Sequence, residues 1–450
     1  MTISDVVKKQ YSYFNSKECE CKNIDFRIKQ LCILESTIRK NESALSEAVY
    51  KDFKKSKTDV FFSELSLIYS EIRFAKKNLR KWANAKKVKT NPINFPAKSF
   101  IIPEPLGVSL IISAWNYPLM LSFAPVVSAI SAGCTMILKP SEIAKNSSVA
   151  IAKIVRENFD AKYFSVIEGG VEETQELLNQ KFDKIFFIGS KKVGRIIYES
   201  AAKNLTPLTL ELGGKSPTFV TQNANLDICV KRLVWAKFLN AGQTCIAPDY
   251  VLIHKSVKEE FLNKLKSEIE NVKYSIEQGN YVQVINDKNM QRLIALLDKE
   301  KVFFGGNYDI GTRYFSPTIM QKISFEDTVM QEEIFGPILP VIEYENLDEI
   351  IAKIKSLPKA LACYVFSSDK KEQESILREL SFGGGCVNDA LMHISNNTLP
   401  FGGVGESGFG SYRGEAGFKS FSHYKSILNK STYFELPFKY MFRKRGNKKD

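Results

Sequence analysis

With 450 residues, 44% hydrophobic and 12% aromatic, the chain can bury large cores, and its length suits two or three domains. Its net charge of +13 comes from 63 basic against 50 acidic residues. That excess is dispersed, without an arginine-rich arm, zinc-finger spacing or RNA-binding aromatic signature. Specific nucleic-acid binding is therefore excluded, leaving a lysine-rich surface with some attraction for anionic ligands.

The first fourteen residues lack the apolar core and cleavage site of a signal peptide. Residues 25 to 55 and 60 to 87 read as two charged amphipathic helices; in the first, Ile28, Leu31, Ile38, Leu45 and Val49 recur at helical spacing. The stretch KTNPINFPAKSF then reads as a linker or extended ribbon. From Val108 onward, apolar runs (VSLIIS, TMILKP, YFSVIEG, KIFFIGS, LTLELGG) alternate with helical segments. That texture signifies a parallel sheet covered on both faces.

Leu119 to Leu138 is apolar enough to resemble a membrane span, but Pro125, Ser128, Ser131 and Gly133 interrupt it. A buried helix followed by a core strand is predicted instead, and no transmembrane helix. A second alternating region runs from about 212 to 390, and a glycine-dense segment, LPFGGVGESGFGSYRGEAG, follows. The end, KYMFRKRGNKKD, is basic; it reads as a solvated tail, with weak contact to a membrane surface as the alternative.

Eight cysteines are scattered along the chain, and the lone Cys19-Glu20-Cys21 has no partner cluster, so no metal site is expected. The pattern fits free thiols in a reducing, cytoplasmic setting. Cys245, in FLNAGQTCIAPD, is the exception in its surroundings. Residues 240 to 244 offer backbone amides to an anion, which would stabilise a thiolate able to attack a carbonyl. The plainer reading is a small core side chain. None of His254, His393 and His423 stands in a cysteine-hydrolase motif, so another base is required.

Glu211, inside the apolar run TPLTLELGG, is the candidate: a poorly solvated carboxylate has its proton affinity raised toward the range useful for general-base work. A structural carboxylate accepting backbone N–H groups is the alternative. Asn116, in SAWNYP, lies where a strand ends and Pro118 opens a helix; its amide can donate to a developing oxyanion or cap the helix. Gly189, Ser190 and Gly194, in FFIGSKKVG, form a strand-to-helix turn suited to a pyrophosphate. Lys139 and Glu142, in LKPSE, could hold ribose hydroxyls. Tyr117 and Phe401 stand close to these motifs and suggest an apolar substrate tunnel.

In order, EPLGVSLIISAWNYP, LKPSE, FIGSKKVG, LELGGKSP, GQTCIAPDY, QEEIFGP and LPFGGVGESGFGSY resemble the aldehyde dehydrogenase superfamily, over roughly residues 25 to 430. SAWNYP, TPLTLELGGKSP and GQTCIAPDY resemble its class 3, fatty-aldehyde branch. The resemblance implies an α/β aldehyde dehydrogenase-like fold with two parallel-sheet domains and a small bridging element that serves oligomerisation. The NAD-binding domain would comprise 1–87 and 103–210, rejoined by about 391–425. The catalytic domain would span 211–390, and 88–102 with 426–450 would form the bridging element and tail.

The same resemblance implies roles. Cys245 would be the nucleophile and Glu211 the general base. The Asn116 amide and the Cys245 backbone N–H would form the oxyanion hole. Lys139 and Glu142 would hold the adenosine ribose, Gly189 to Gly194 the phosphates, and Glu333 and Phe335 the nicotinamide ribose and ring. The cofactor would be NAD, with NADP the alternative; the substrate an aliphatic or aromatic aldehyde; the assembly a homodimer. Relatives that pass the acyl group to CoA or phosphate generally lack the glutamate of LELGG, so Glu211 favours hydrolysis.

Three positions depart from the family pattern. Lys191 stands where Thr usually follows Gly-Ser, Cys134 where Asn is common, and Arg413 where His is usual after Tyr. The apolar C-terminal anchor of membrane-bound fatty-aldehyde enzymes is replaced by the basic, aromatic end.

Overall fold

The computed structural model describes residues 2–435, so the basic end from Lys439 to Asp450 lies outside the described residues. Three larger sheets organise the described residues, with a two-stranded hairpin of Tyr308–Asp309 and Tyr314–Phe315 beside them. The apolar runs after Val108 become the strands Val108–Ile112, Thr135–Lys139, Phe164–Val166, Lys184–Ile188 and Leu208–Glu211. They are parallel and almost wholly buried, because helices cover both faces and leave no side for polar alternation. Gly408–Phe409 adds an antiparallel sixth strand beside Leu208–Glu211. Only glycine fits at 408: with φ at 130°, a Cβ there would meet the Leu210 carbonyl oxygen at 2.0 Å.

The second sheet has seven strands, ordered Val302–Phe304, Thr318–Met320, Ile338–Tyr344, Tyr250–His254, Pro217–Val220, Ala362–Phe366 and Gly384–Val387. All neighbours are parallel except the first pair. The third sheet is an antiparallel ribbon of Lys86–Val88, Ala97–Pro105 and Ser422–Lys430. Four boundaries read from the sequence fall inside strands: Glu211 closes a strand of the first sheet, and residues 88, 103 and 426 lie within the ribbon.

The span-like stretch resolves into the buried helix Pro118–Ala132 and the strand Thr135–Lys139. Gly133, at φ 91°, ends the helix where a Cβ would collide with the Cys21 carbonyl oxygen at 2.5 Å. No described helix is long and apolar enough to cross a membrane.

The two amphipathic helices differ from expectation. The first breaks into Ile24–Lys40 and Glu42–Phe53 at Asn41, whose side chain turns back to the Thr37 carbonyl at 2.8 Å. The second runs from Lys57 through a π-turn at Phe61–Leu65 into Ser66–Ala83. A helix absent from the sequence reading, Ile3–Phe14, opens the chain on a capping box from Thr2 and Asp5.

Candidate active site

Cys245 is carried by a turn of unusual backbone. After helix Leu226–Phe238, Asn240, Ala241 and Gly242 all take left-handed φ values of 56°, 51° and 71°. Such a run costs about 1–3 kcal/mol for each non-glycine residue and persists only where its surroundings hold it. They do so here. Asn240 Nδ2 donates to the Asn116 and Gln243 carbonyls, both at 3.0 Å. Gln243 donates to the Asn240 and Gln283 carbonyls and accepts from the Ile285 N–H at 2.9 Å. A Cβ on Gly242 would meet the Gly336 carbonyl oxygen at 2.2 Å.

The thiol so presented is not the stabilised thiolate expected from the sequence. Burial, followed by the carboxylates of Glu333 and Glu211, pushes Cys245 up to about 12. The N–H groups of Cys245 and Ile246 do oppose that rise, but they are outweighed. The amides are present; the dry, acidic setting overrides them.

Glu211 ends its strand with both carboxylate oxygens buried and without a hydrogen-bond partner among the described residues. Burial alone holds its proton affinity well above the usual carboxylate range. The structural alternative fails, since no N–H reaches it. Asn116 is buried and donates from Nδ2 to the Gln243 carbonyl at 3.1 Å. It does not cap the helix that begins at Pro118. Glu64 does, accepting from the Leu119 and Met120 N–H groups at 2.8 and 3.3 Å while paired to Lys55 at 2.9 Å. The Lys55 ammonium lies 4.0 Å from the Tyr117 ring centroid, and the Tyr117 hydroxyl pairs with Thr244 at 2.6 Å, beside Cys245.

Two cavities meet at this point. A groove of about 1400 Å³ collects Asn116, Lys139, Glu142, Gly189, Ser190, Glu333 and Phe335. A smaller, apolar cavity of about 430 Å³ is lined by Tyr117, Phe401, Phe62, Trp235, Met120, Ile394 and others. Cys245 and Glu211 line both. Gly194 lies outside the groove: it sits in the helix Lys191–Lys203, packed where a Cβ would meet Leu212 at 2.8 Å.

Within the groove, Lys139 Nζ is buried and fixed by the Gly169 carbonyl at 2.6 Å and Glu142 at 3.1 Å. Ser190 caps Lys191–Lys203, accepting from the Val193 N–H. Glu333 packs so tightly on Gly213 that a Cβ there would lie 1.9 Å from its carboxylate oxygen. Burial and Asp249 push Glu333 up to about 8, against the Gly214 N–H, Lys215 and Arg292. Phe335, strained at φ 46°, meets Trp115 edge-on with centroids 5.4 Å apart. The unexpected Lys191 pairs with Glu406. Cys134 is a packing change, its sulfur 3.4 Å from the Phe421 carbonyl oxygen.

Several lining residues escaped the sequence reading. Trp115 and Tyr412 sit inside quoted motifs and were legible there. Asp59, Phe62 and Trp235 come from helices with no local mark of function. The Tyr412 hydroxyl is buried and unpartnered among the described residues. No histidine lines either cavity, and His393 lies beside Cys386, not Cys245. Among the described residues, no His, Cys, Asp or Glu cluster could hold a metal.

Parallel sheets flank a thiol and a carboxyl unpartnered among the described residues, with a long groove on one side and an apolar pocket on the other, an arrangement suited to an oxidoreductase. The model of the aldehyde dehydrogenase family matches residues 16–427, and the chain belongs to that family of enzymes. It is 45% identical over 428 residues to a 4,4'-diaponeurosporen-aldehyde dehydrogenase of Staphylococcus aureus, covering 94% of this chain and 93% of the relative. It is 41% identical to the dimeric NADP-preferring aldehyde dehydrogenase of Mus musculus, covering 95% of each. A substrate-bound structure of AldH from Staphylococcus aureus superposes with a TM-score of 0.95 at 43% identity, covering 99% of both chains.

Proposed function

We propose that this chain oxidises an apolar aldehyde to the carboxylic acid with NAD or NADP as acceptor, through a thioester on Cys245. The observation that carries the reading is that Cys245 and Glu211 line both cavities at their junction. The first-sheet unit serves as the cofactor domain and the second-sheet unit as the catalytic domain.

The groove fits a dinucleotide by its chemistry. Lys139 and Glu142 offer a cation and a carboxylate to ribose hydroxyls, and the Ser190-capped helix start offers N–H groups to phosphate. Glu333, whose charge acts on Cys245, lines the groove with Phe335 and Trp115. A nicotinamide held by Glu333 and Phe335 would supply a cationic ring and a hydride acceptor.

The chain's own residues do the rest. The Cys245 thiol releases its proton to solvent and Sγ attacks the aldehyde carbon. The oxyanion so formed is met by the Asn116 amide and the Cys245 N–H. Once the carbon is at the acyl level, Glu211 in its ionised form takes a proton from water, whose oxygen attacks the thioester. The C–S bond then breaks and the acid leaves. An unpartnered carboxyl with raised proton affinity suits this proton transfer.

The reading also takes in assembly and setting. The edge strand Ser422–Lys430 exposes Tyr424, Ile427 and Leu428, a surface suited to a second copy of the chain. Eight free cysteines suit a reducing cytoplasm.

The test is NADH or NADPH formation from an aldehyde series without CoA or phosphate, with Cys245→Ala as control. Native-rate oxidation by Cys245→Ala removes the thioester route. A requirement for CoA or phosphate removes the hydrolytic role of Glu211.

A further inference from the structure

Arg413 is the departure from the family pattern that the catalytic reading leaves without a task. It is 1% exposed and holds a left-handed φ of 76°. Its Nε lies 3.4 Å from Glu71 on the helix Ser66–Ala83, and both side chains are sealed from solvent. The other Glu71 oxygen accepts the Gly414 N–H at 2.6 Å, which locks the backbone on which Arg413 is mounted.

The far end of the guanidinium reaches three further groups. Nη1 lies 3.6 Å from the Met120 sulfur, and Nη2 donates to the Ile394 carbonyl at 3.2 Å and to Asn397 Oδ1 at 3.4 Å. Asn397 in turn donates to Ser70 at 3.0 Å, on the same helix as Glu71. Met120 and Ile394 line the apolar cavity, as does the neighbouring Tyr412, whereas Arg413 itself does not. A buried, planar cation therefore stands behind the cavity wall and ties two of its residues to one helix.

Resting on the aldehyde-oxidising reading, we infer that Arg413 is a positioning and specificity-determining residue. Ion-paired with Glu71, its guanidinium fixes the Met120–Ile394 wall and so sets how long aldehydes lie against Cys245. A short aldehyde touches less of that wall. A long one uses it along its length. The planar fork matters because a shorter or unbranched side chain cannot span Glu71, Met120 and Ile394 together.

The experiment compares kcat and KM for propanal and dodecanal in Arg413→Met, Arg413→His and Arg413→Lys, with the NADH burst counting working sites. The dodecanal-to-propanal ratio of kcat/KM should fall on the order of 10–100-fold in Arg413→Met and Arg413→His, and less in Arg413→Lys. A purely structural role would lower both substrates in step with the burst and leave the ratio unmoved, and that result overturns the inference.

If Arg413→Met does not fold, Glu71→Gln/Arg413→Met removes the stranded carboxylate and makes the same comparison. Dodecanoate binding, followed by emission of the cavity-lining Trp235, reads the wall without turnover. Affinity should weaken in the variants; equal affinity in parent and variants also overturns the inference. A parent inactive on both aldehydes refutes the proposed function, while the dodecanoate comparison still decides the role of Arg413.

Discussion

Replacing Glu211 by Gln should make the protein more stable and far less active, and the stability gain should grow with pH. Both Glu211 oxygens are buried without a partner among the described residues, and burial raises its proton affinity well above normal. The folded chain thus keeps this proton where the unfolded chain, titrating near about 4.3, has lost it. For an acid raised by folding, stability is fully present below the unfolded value and is lost as pH rises. The loss is about 1.4 kcal/mol per pH unit between the unfolded value and the point where the folded group itself ionises.

Gln carries no charge in either state and escapes this loss, while its amide meets the same dry surroundings as the protonated carboxyl. Thermal unfolding of parent and Glu211→Gln at acidic, neutral and mildly alkaline pH should show a gap that widens with pH. Turnover should drop about 10²–10⁴-fold, the usual span for a lost general base. Intact-mass measurement after the NADH burst should show the acyl-enzyme accumulating. A gap that stays constant or reverses with rising pH would mean that Glu211 finds polar partners in solution. Undiminished turnover would remove it from water activation altogether.

Asn116→Ala should slow turnover by about a hundredfold or more, the loss of one oxyanion donor at ~2.7–4 kcal/mol, while leaving alkylation of Cys245 unchanged. Alkylation of the cofactor-free enzyme by iodoacetamide should rise about tenfold per pH unit from neutrality, since only the thiolate reacts. It should keep rising well past pH 9 because Cys245 is pushed up to about 12; a plateau near 8 would contradict that. Glu333, pushed up to about 8, accepts ribose hydroxyls best when ionised. NAD affinity, followed by Trp115 emission, should therefore tighten as pH rises through about 8 and lose this dependence in Glu333→Gln. A flat parent profile counts against Glu333 as a cofactor ligand.

The first sheet was legible because its strands are buried on both faces, which turns them into unbroken apolar runs such as TMILK and KIFFI. Helix ends were less so. The break at Asn41 depends on a side chain folding back to Thr37, and Asn is common enough inside helices that nothing in the sequence announces it. The cofactor groove was read from motifs because its residues lie on loops just past strand ends. Those loops must keep particular glycines where backbone and carboxylate nearly touch, as at Gly213 beside Glu333.

The substrate cavity follows a different logic. Its wall comes from helix Lys57–Val60 and the π-turn after it, from Trp235, and from the turn at Met392–Ser395, segments far apart in sequence that meet only in the folded chain. No local pattern marks them, since an apolar residue facing a pocket looks like one facing a core. The charge state of Cys245 was hidden for the same reason. Backbone amides can be anticipated from Asn240-Ala241-Gly242, but they are opposed by burial and by the carboxylates of Glu333 and Glu211, which come from a separate loop and a strand end. The motif alone carries no sign of that opposition, which only the folded chain assembles.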